Sequence, residues 1–441
     1  MSFIADKQTL EDLNLLSKYK PDSVYNLFSR VHTSGGIRLL ERMFHSPLSD
    51  SDAINRRSAL FRYFQEKALV FPLSRNLFEG MENYLDAGSD SNLLTAAINT
   101  SWKKLLGAIV RDETYSMMQT GLLTSIELLN TFCDFLSRLG EEGNKNPFEP
   151  EREAINKIFK DPRLAWLPKE RGVQQLPLLK IVKYDHLLRN VLQEEMAAVL
   201  ETIYHIDVCI AIGHVAATNG YSYAHALPED GNIFRAVGLR HPCLDKAVGN
   251  PVCLHRDSNL LFLTGANMAG KSTFMKSFGI AVYLAHMGFP VAATEMEFSV
   301  MDGLYSSINV PDNLSLGYSH FYAEVLRVKK VAEAVSSSEN LIVIFDELFK
   351  GTNVKDAYDA TLAVTEAFSA YRNCFFIIST HIIEVGETLR ERCDNLQFAY
   401  LPTILDGVIP RYTYKLEQGI TADRHGMMII ENERIVSIIQ S

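Results

Sequence analysis

Along the first 230 residues the apolar positions recur three and four apart. "LLSKYKPDSVYNLFSRV", "GGIRLLERMF" and "DAINRRSALFRYFQEKALVF" all carry this helical spacing, and strand alternation is scarce. The stretch "GEEGNKNPFEPERE" (140–153) is charged and rich in breakers, and reads as a hinge between helical segments. "LLKIVKYDHLLRNVLQEEMAAVLETIYHIDVCIAIGHVAATNG" predicts one or two long helices that end near Asn219-Gly220. From about residue 231 the period changes. Continuous apolar runs at Leu260–Leu263, Leu341–Phe345 and Cys374–Ile378 read as buried strands. Helical stretches at Ser272–Met287, Ser319–Val335 and Ala357–Ala370 separate them, and this alternation predicts a doubly wound parallel sheet. The expected organisation is an all-helical region over residues 1–230 followed by an α/β domain over 231–441.

Composition narrows the function classes without choosing one. The chain has 441 residues, 47% hydrophobic and 22% charged, the balance of a globular protein with room for a large core. The opening "MSFIADKQTLEDLNLL" has early acids and no apolar centre, so no secretory signal is expected. The apolar stretch from Phe278 to Ala293 is interrupted by His286, Gly288 and Pro290, which fits a buried helix rather than a membrane span. Six cysteines without a C-x-x-C pair imply neither a zinc site nor a disulfide framework, and a reducing cytoplasm is the default compartment. A net charge of −10 excludes a strongly basic nucleic-acid binder, so contact with DNA would need a local patch or dimerisation.

The chemistry sits in the second half. Residues 265–272 read G-x-x-x-x-G-K-S between a strand and a helix, the P-loop pattern. In such a loop backbone N–H groups and the helix N-terminus cradle a polyphosphate. Lys271 then neutralises phosphate charge and the Ser272 hydroxyl serves Mg²⁺. "LIVIFDELFKGTN" ends an apolar run in Asp346 and Glu347, two acids that a buried strand has no structural use for. Asp346 suits hydrated Mg²⁺, and Glu347 suits the orientation of an attacking water. His381, just past the strand "FFIIS", reads either as a γ-phosphate sensor or as a structural histidine. Ser319, at a helix start after Gly317, reads either as a plain cap or as an anion site for a second molecule's γ-phosphate.

Together these pieces resemble the MutS family of DNA mismatch repair ATPases. "TGANMAGKST" (264–273) is similar to that family's TGPNMGGKST loop, so the resemblance assigns ATP contacts to Gly265, Ala266, Asn267, Met268, Ala269, Gly270, Lys271, Ser272 and Thr273. "DNLSLGYSHFYAE" (312–324) resembles the family's signature segment, "DELFKGTN" its DE-x-x-RGT-S stretch, and "STH" its A-T-H. "RHP" (240–242) and "YKLEQG" (414–419), with His425-Gly426, fall at similar places. In the helical half, residues 33–64 resemble the family's core opening and 205–221 the helix returning to the core.

The resemblance implies a helical core-and-lever region joined to an ABC-like P-loop ATPase domain. It further implies ATP and Mg²⁺ as ligands, and a homodimer in which Ser319 of one chain meets nucleotide on the other. Residues 90–190 would form a lever or reduced clamp, and no membrane partner is implied. The sequence departs from the pattern at Met43, Ala269, His320 and Lys350. An adenine-stacking aromatic expected before the P-loop falls near Val252. No room is expected for mismatch-reading or connector domains, and no dimerisation helices after the final strands. Two functional readings stay open: a DNA-acting ATPase of repair or recombination, or an ATP-switched module that grips a repair-protein partner.

Overall fold

The computed structural model describes residues 3–16, 22–86, 113–139, 146–266, 268–308, 320–337, 339–406, 409–421 and 438. The chain divides into two units. One comprises Met1–Phe28, Met43–Ser58 and Val215–Ser441, and the other Ser29–Arg42 and Ala59–His214.

The first unit is built on a seven-stranded sheet. Its order is β1 (Ile4–Ala5), β9 (Gly303–Ser307), β10 (Leu341–Asp346), β11 (Phe375–Ser379), β6 (Leu260–Gly265), β12 (Leu396–Leu401) and β15 (Glu417–Gln418). All neighbours pair in parallel except β12 with β15. Strands covered on both faces need apolar side chains at every position, and β6 and β11 are buried throughout. The helix Lys271–His286 follows β6 directly, and Val354–Ser369 and Ile383–Arg392 follow β10 and β11. Phe345, Phe368 and Phe376 stack between sheet and helix, with ring centroids 5.9 and 5.2 Å apart.

A second sheet was not announced by the sequence pattern. It runs β3 (His225–Leu227), β8 (Glu295–Ser299), β4 (Ile233–Leu239), β5 (Asn250–His255), and all its pairs but β3–β8 are antiparallel. Two short pairs complete the unit: β2 (Ser222–Tyr223) with β7 (Pro290–Val291), and β13 (Thr403–Asp406) with β14 (Ile409–Tyr412). The amino terminus also differs from the all-helical expectation, because β1 is a strand on the edge of the large sheet.

The second unit is helical among its described residues. Helix Arg75–Asp86 packs on Glu113–Leu139 where glycines let the backbones approach: a Cβ at Gly121 would meet Tyr84 Cβ at 2.7 Å. Asp207, fully buried, accepts backbone N–H groups of His32 and Thr33 at 3.0 and 2.7 Å. The helix Gln193–Asn219 is long and apolar enough to cross a membrane, and 61% of its apolar window is buried within the protein.

Candidate functional site

Sheet topology decides where chemistry collects. β6, β10 and β11 are parallel neighbours, so their carboxyl ends open on one edge of the first unit. Loops leaving those ends carry 265–271, Asp346-Glu347 and Ser379-Thr380-His381. Sites of α/β sheets form at this edge because only there do several loops converge.

The loop after β6 turns sharply. Gly265 and Gly270 adopt φ of 141° and 105°, conformations that strain any side chain. Gly270 caps the helix Lys271–His286. Lys271 is buried, and its ammonium donates to the carbonyls of Gly265 and Ala266 at 2.9 and 3.2 Å. An ammonium has three hydrogens, so one remains for a phosphate oxygen. Burial lowers the Lys271 pKa, and the nearby carboxylates of Asp346 and Glu347 oppose that shift.

Asp346 accepts hydroxyl hydrogen bonds from Ser272, at 2.5 Å, and from Ser379. Beside it, Glu347 Oε1 lies 2.5 Å from His381 Nε2. That hydrogen bond holds the Glu347 carboxyl below its ordinary pKa, against the opposing effect of burial. His381 therefore sits on the carboxylate rather than standing apart from it. Ser272 and Thr273 are exposed at the start of the helix, and Ala269 is buried beneath the loop. Asn267 and Ser319 lie outside the described residues, as do residues 90–112 and 140–145 of the expected lever.

A cavity of about 530 Å³ opens over this edge. The glycine-rich loop and Glu347 form its floor, and the β4–β5 connection with Leu244, Lys246 and Val248 forms one wall. Tyr414 completes it. Its ring stands so close to Gly270 that a Cβ there would meet Tyr414 Cδ1 at 3.0 Å. Asn250 fixes that segment by donating to Tyr414 O at 2.9 Å and accepting from Leu416 N at 2.8 Å. Val252, where a stacking aromatic was sought, is buried within β5. The rings that line the cavity are those of His241, Phe274 and Tyr414. The "YKLEQG" stretch was the only signal for Tyr414, and nothing in it announced the approach to Gly270. Burial pushes the His241 pKa down to about 4, so its ring is neutral at pH 7.

Strain gathers at this cavity. Lys246, Met268, Glu347 and Tyr414 line it with φ of 58°, 67°, 56° and 57°. Non-glycine residues in this region cost roughly 1–2 kcal/mol each and cluster at functional sites.

Residues 8–213 match the family model for MutS domain III, and residues 261–440 match that for MutS domain V. The chain belongs to the MutS family. Among curated relatives it is similar to the DNA mismatch repair protein MutS of Thermus thermophilus, 27% identical over 467 residues, 88% of this chain and 56% of the relative. It is also similar to the proteins of that name from Pseudothermotoga lettingae and Petrotoga mobilis. These are 28% and 27% identical over 254 residues, covering 54% and 56% of this chain and 31% and 30% of the relatives. This MutS-family chain thus spans about half or less of the relatives it matches. Its cavity lies within one unit and, Leu239 to Asn250 apart, is lined from the span that matches domain V.

Proposed function

We propose that this MutS-family protein binds and hydrolyses ATP and uses the nucleotide to act on DNA. One observation carries the reading: a buried lysine, a hydroxyl–carboxylate pair and a second carboxylate held by histidine converge on one strained loop. Lys271 and the loop N–H groups hold the phosphates, and the base lies against Tyr414. The oxygens of Ser272 and Asp346 are hard donors of the kind Mg²⁺ takes, and these two residues would hold it. Bound there, the ion neutralises charge on the β- and γ-phosphates. Glu347, kept ionised, orients a water through its second oxygen while His381 fixes the first. Ser319 of a second copy completes the site, so occupancy closes a homodimer. Residues 1–230 serve as the core and lever region and 231–441 as the ATPase domain, in the cytoplasm.

DNA contact in this reading is to phosphates and shape rather than base identity. Competition among homoduplex, mismatched duplex and four-way junction, at two salt concentrations with and without ATP, tests it. Binding should fall steeply with salt. A mismatch should add less than the roughly 1–3 kcal/mol of specific base readout. Strong preference for the mismatch over both other DNAs overturns the reading. The net charge of −10 favours a second reading, an ATP-switched module that binds a repair protein. Absence of binding to all three DNAs at low salt with ATP selects it.

A further inference from the structure

Arg240, His241 and Pro242 leave β4 for the cavity wall, and each is tied in place. Arg240 N donates to Ala292 O at 2.9 Å, and its Nη2 donates to the carbonyls of Asn219 and Gly220 at 2.9 and 3.1 Å. Those carbonyls stand at the end of the helix Gln193–Asn219, where no intrahelical donor is left for them. The same guanidinium lies 5.7 Å from the centre of the Tyr221 ring, which is buried. Tyr221 donates its hydroxyl to Pro242 O at 2.9 Å. Cys243 N donates to His241 Nδ1 at 3.2 Å. A helix end thus anchors the segment on one side, and the segment's own backbone turns the ring of His241 on the other.

A ring held in this way has one tautomer. Burial, followed by the Lys276 ammonium, keeps His241 neutral against the pull of Asp22. Nδ1 takes the Cys243 hydrogen, so the single ring hydrogen sits on Nε2. Among the described residues no group accepts it. The ring lines the cavity with Leu239, Leu244, Val248, Phe274 and Tyr414. Leu239 pairs with Asn250, the residue that holds Tyr414 O, so one ladder places both the histidine segment and the tyrosine. Four of these five neighbours are apolar. Such a lining suits a flat heterocycle better than a phosphate chain, and a few polar groups within it fix the ligand's orientation.

We propose that His241 is a binding residue for the base: its Nε2 hydrogen is donated to an acceptor nitrogen on the base edge, and Arg240 and Tyr221 are the residues that position it. This rests on the reading that the cavity takes ATP. Calorimetric titration of ATP, ribose 5-triphosphate and tripolyphosphate into the full chain tests it, with His241→Asn, His241→Gln and Tyr221→Phe beside the parent. Asparagine keeps an acceptor near the place of Nδ1 and has nothing at Nε2, whereas glutamine carries an amide nitrogen to the place of Nε2. His241→Asn should bind ATP roughly 2–12-fold more weakly, the size of one net hydrogen bond, and the two ligands without a base as before. His241→Gln should bind all three as the parent does. Tyr221→Phe removes one strut. It should weaken ATP alone, and should add nothing in the His241→Asn background, because the two residues act through one contact. Unchanged ATP affinity in His241→Asn, equal weakening of ATP and ribose 5-triphosphate, or weaker ATP binding by His241→Gln than by His241→Asn overturns the proposal. If His241→Asn does not fold, the presence or absence of an ATP-only loss in Tyr221→Phe decides. A parent that binds neither ATP nor tripolyphosphate overturns the nucleotide reading itself, a result separate from any difference among the variants.

Discussion

Replacing Tyr414 with alanine separates the base from the phosphates. Tyr414 touches the cavity at Gly270, and Asn250 holds its backbone through Tyr414 O and Leu416 N, so the substitution removes the ring and leaves its support. The backbone strain at φ of 57° is unchanged, because alanine keeps the Cβ. Base–aromatic stacking contributes about 1–3 kcal/mol. The ring is 46% exposed, which selects the lower part of that range, about 1–2 kcal/mol. At about 1.4 kcal/mol per decade, ATP should bind roughly 5–30-fold more weakly. Inorganic tripolyphosphate, which has no base, should bind as before, and Tyr414→Phe should behave as the parent with both ligands. Calorimetric titration of both ligands into the three proteins reads the outcome. Equal weakening of ATP and tripolyphosphate in Tyr414→Ala would mean that the ring merely shapes the loop. Unchanged ATP affinity would remove the base from that side of the cavity.

The phosphate side has its own test: Lys271→Ala should lose nucleotide binding outright. Glu347→Gln should keep binding while turnover drops by about 10²–10⁴-fold, the range for a proton-handling group; normal turnover in that variant removes Glu347 from its role. His286 supplies a pH dependence. Its Nδ1 lies 2.9 Å from Val282 O and its Nε2 accepts from Met301 N at 3.1 Å, which defines a neutral ring. Burial holds its pKa at about 4, against an ordinary 6.5. The unfolded chain therefore takes up a proton that the folded chain refuses. The contribution to stability is complete above pH 6.5 and is lost as pH falls toward 4, by up to roughly 3 kcal/mol. Denaturant unfolding from pH 7.5 to 4.5 and the NMR titration of His286 check this, and a folded-state midpoint near 6.5 refutes it.

What the sequence made legible follows from how local each signal is. The runs at Leu260, Leu341 and Cys374 had to be apolar because both sheet faces are covered, and their strands lie within a residue or two of where the runs predict. The acids at the tip of β10 stood out because burial gives them no other use. Features made by long-range approach left no local trace. β1 is two residues long, and its partner lies on β9. Tyr414 reaches Gly270 only through the fold, so a search near Val252 found no ring. His381 lay between two readings because its partner, Glu347, is 34 residues away. The mostly antiparallel sheet around β4 was missed because its strands are short and broken by Gly238, whose φ of 65° interrupts the alternation.

The three-part make-up of the first unit imposes an order on its synthesis. Ile4 pairs with Gly303, so the first strand leaves the ribosome long before its partner exists. At about 5–20 residues per second, the wait is on the order of 15–60 s. Through that interval Phe3 and Leu13, both buried at the end, lack the neighbours His286 and Gly279 that they pack against. The second unit is complete in sequence by His214 and can condense first. The nascent chain thus carries an unpaired apolar segment while its partners are still being made, the situation in which a chaperone that shields apolar segments is most needed.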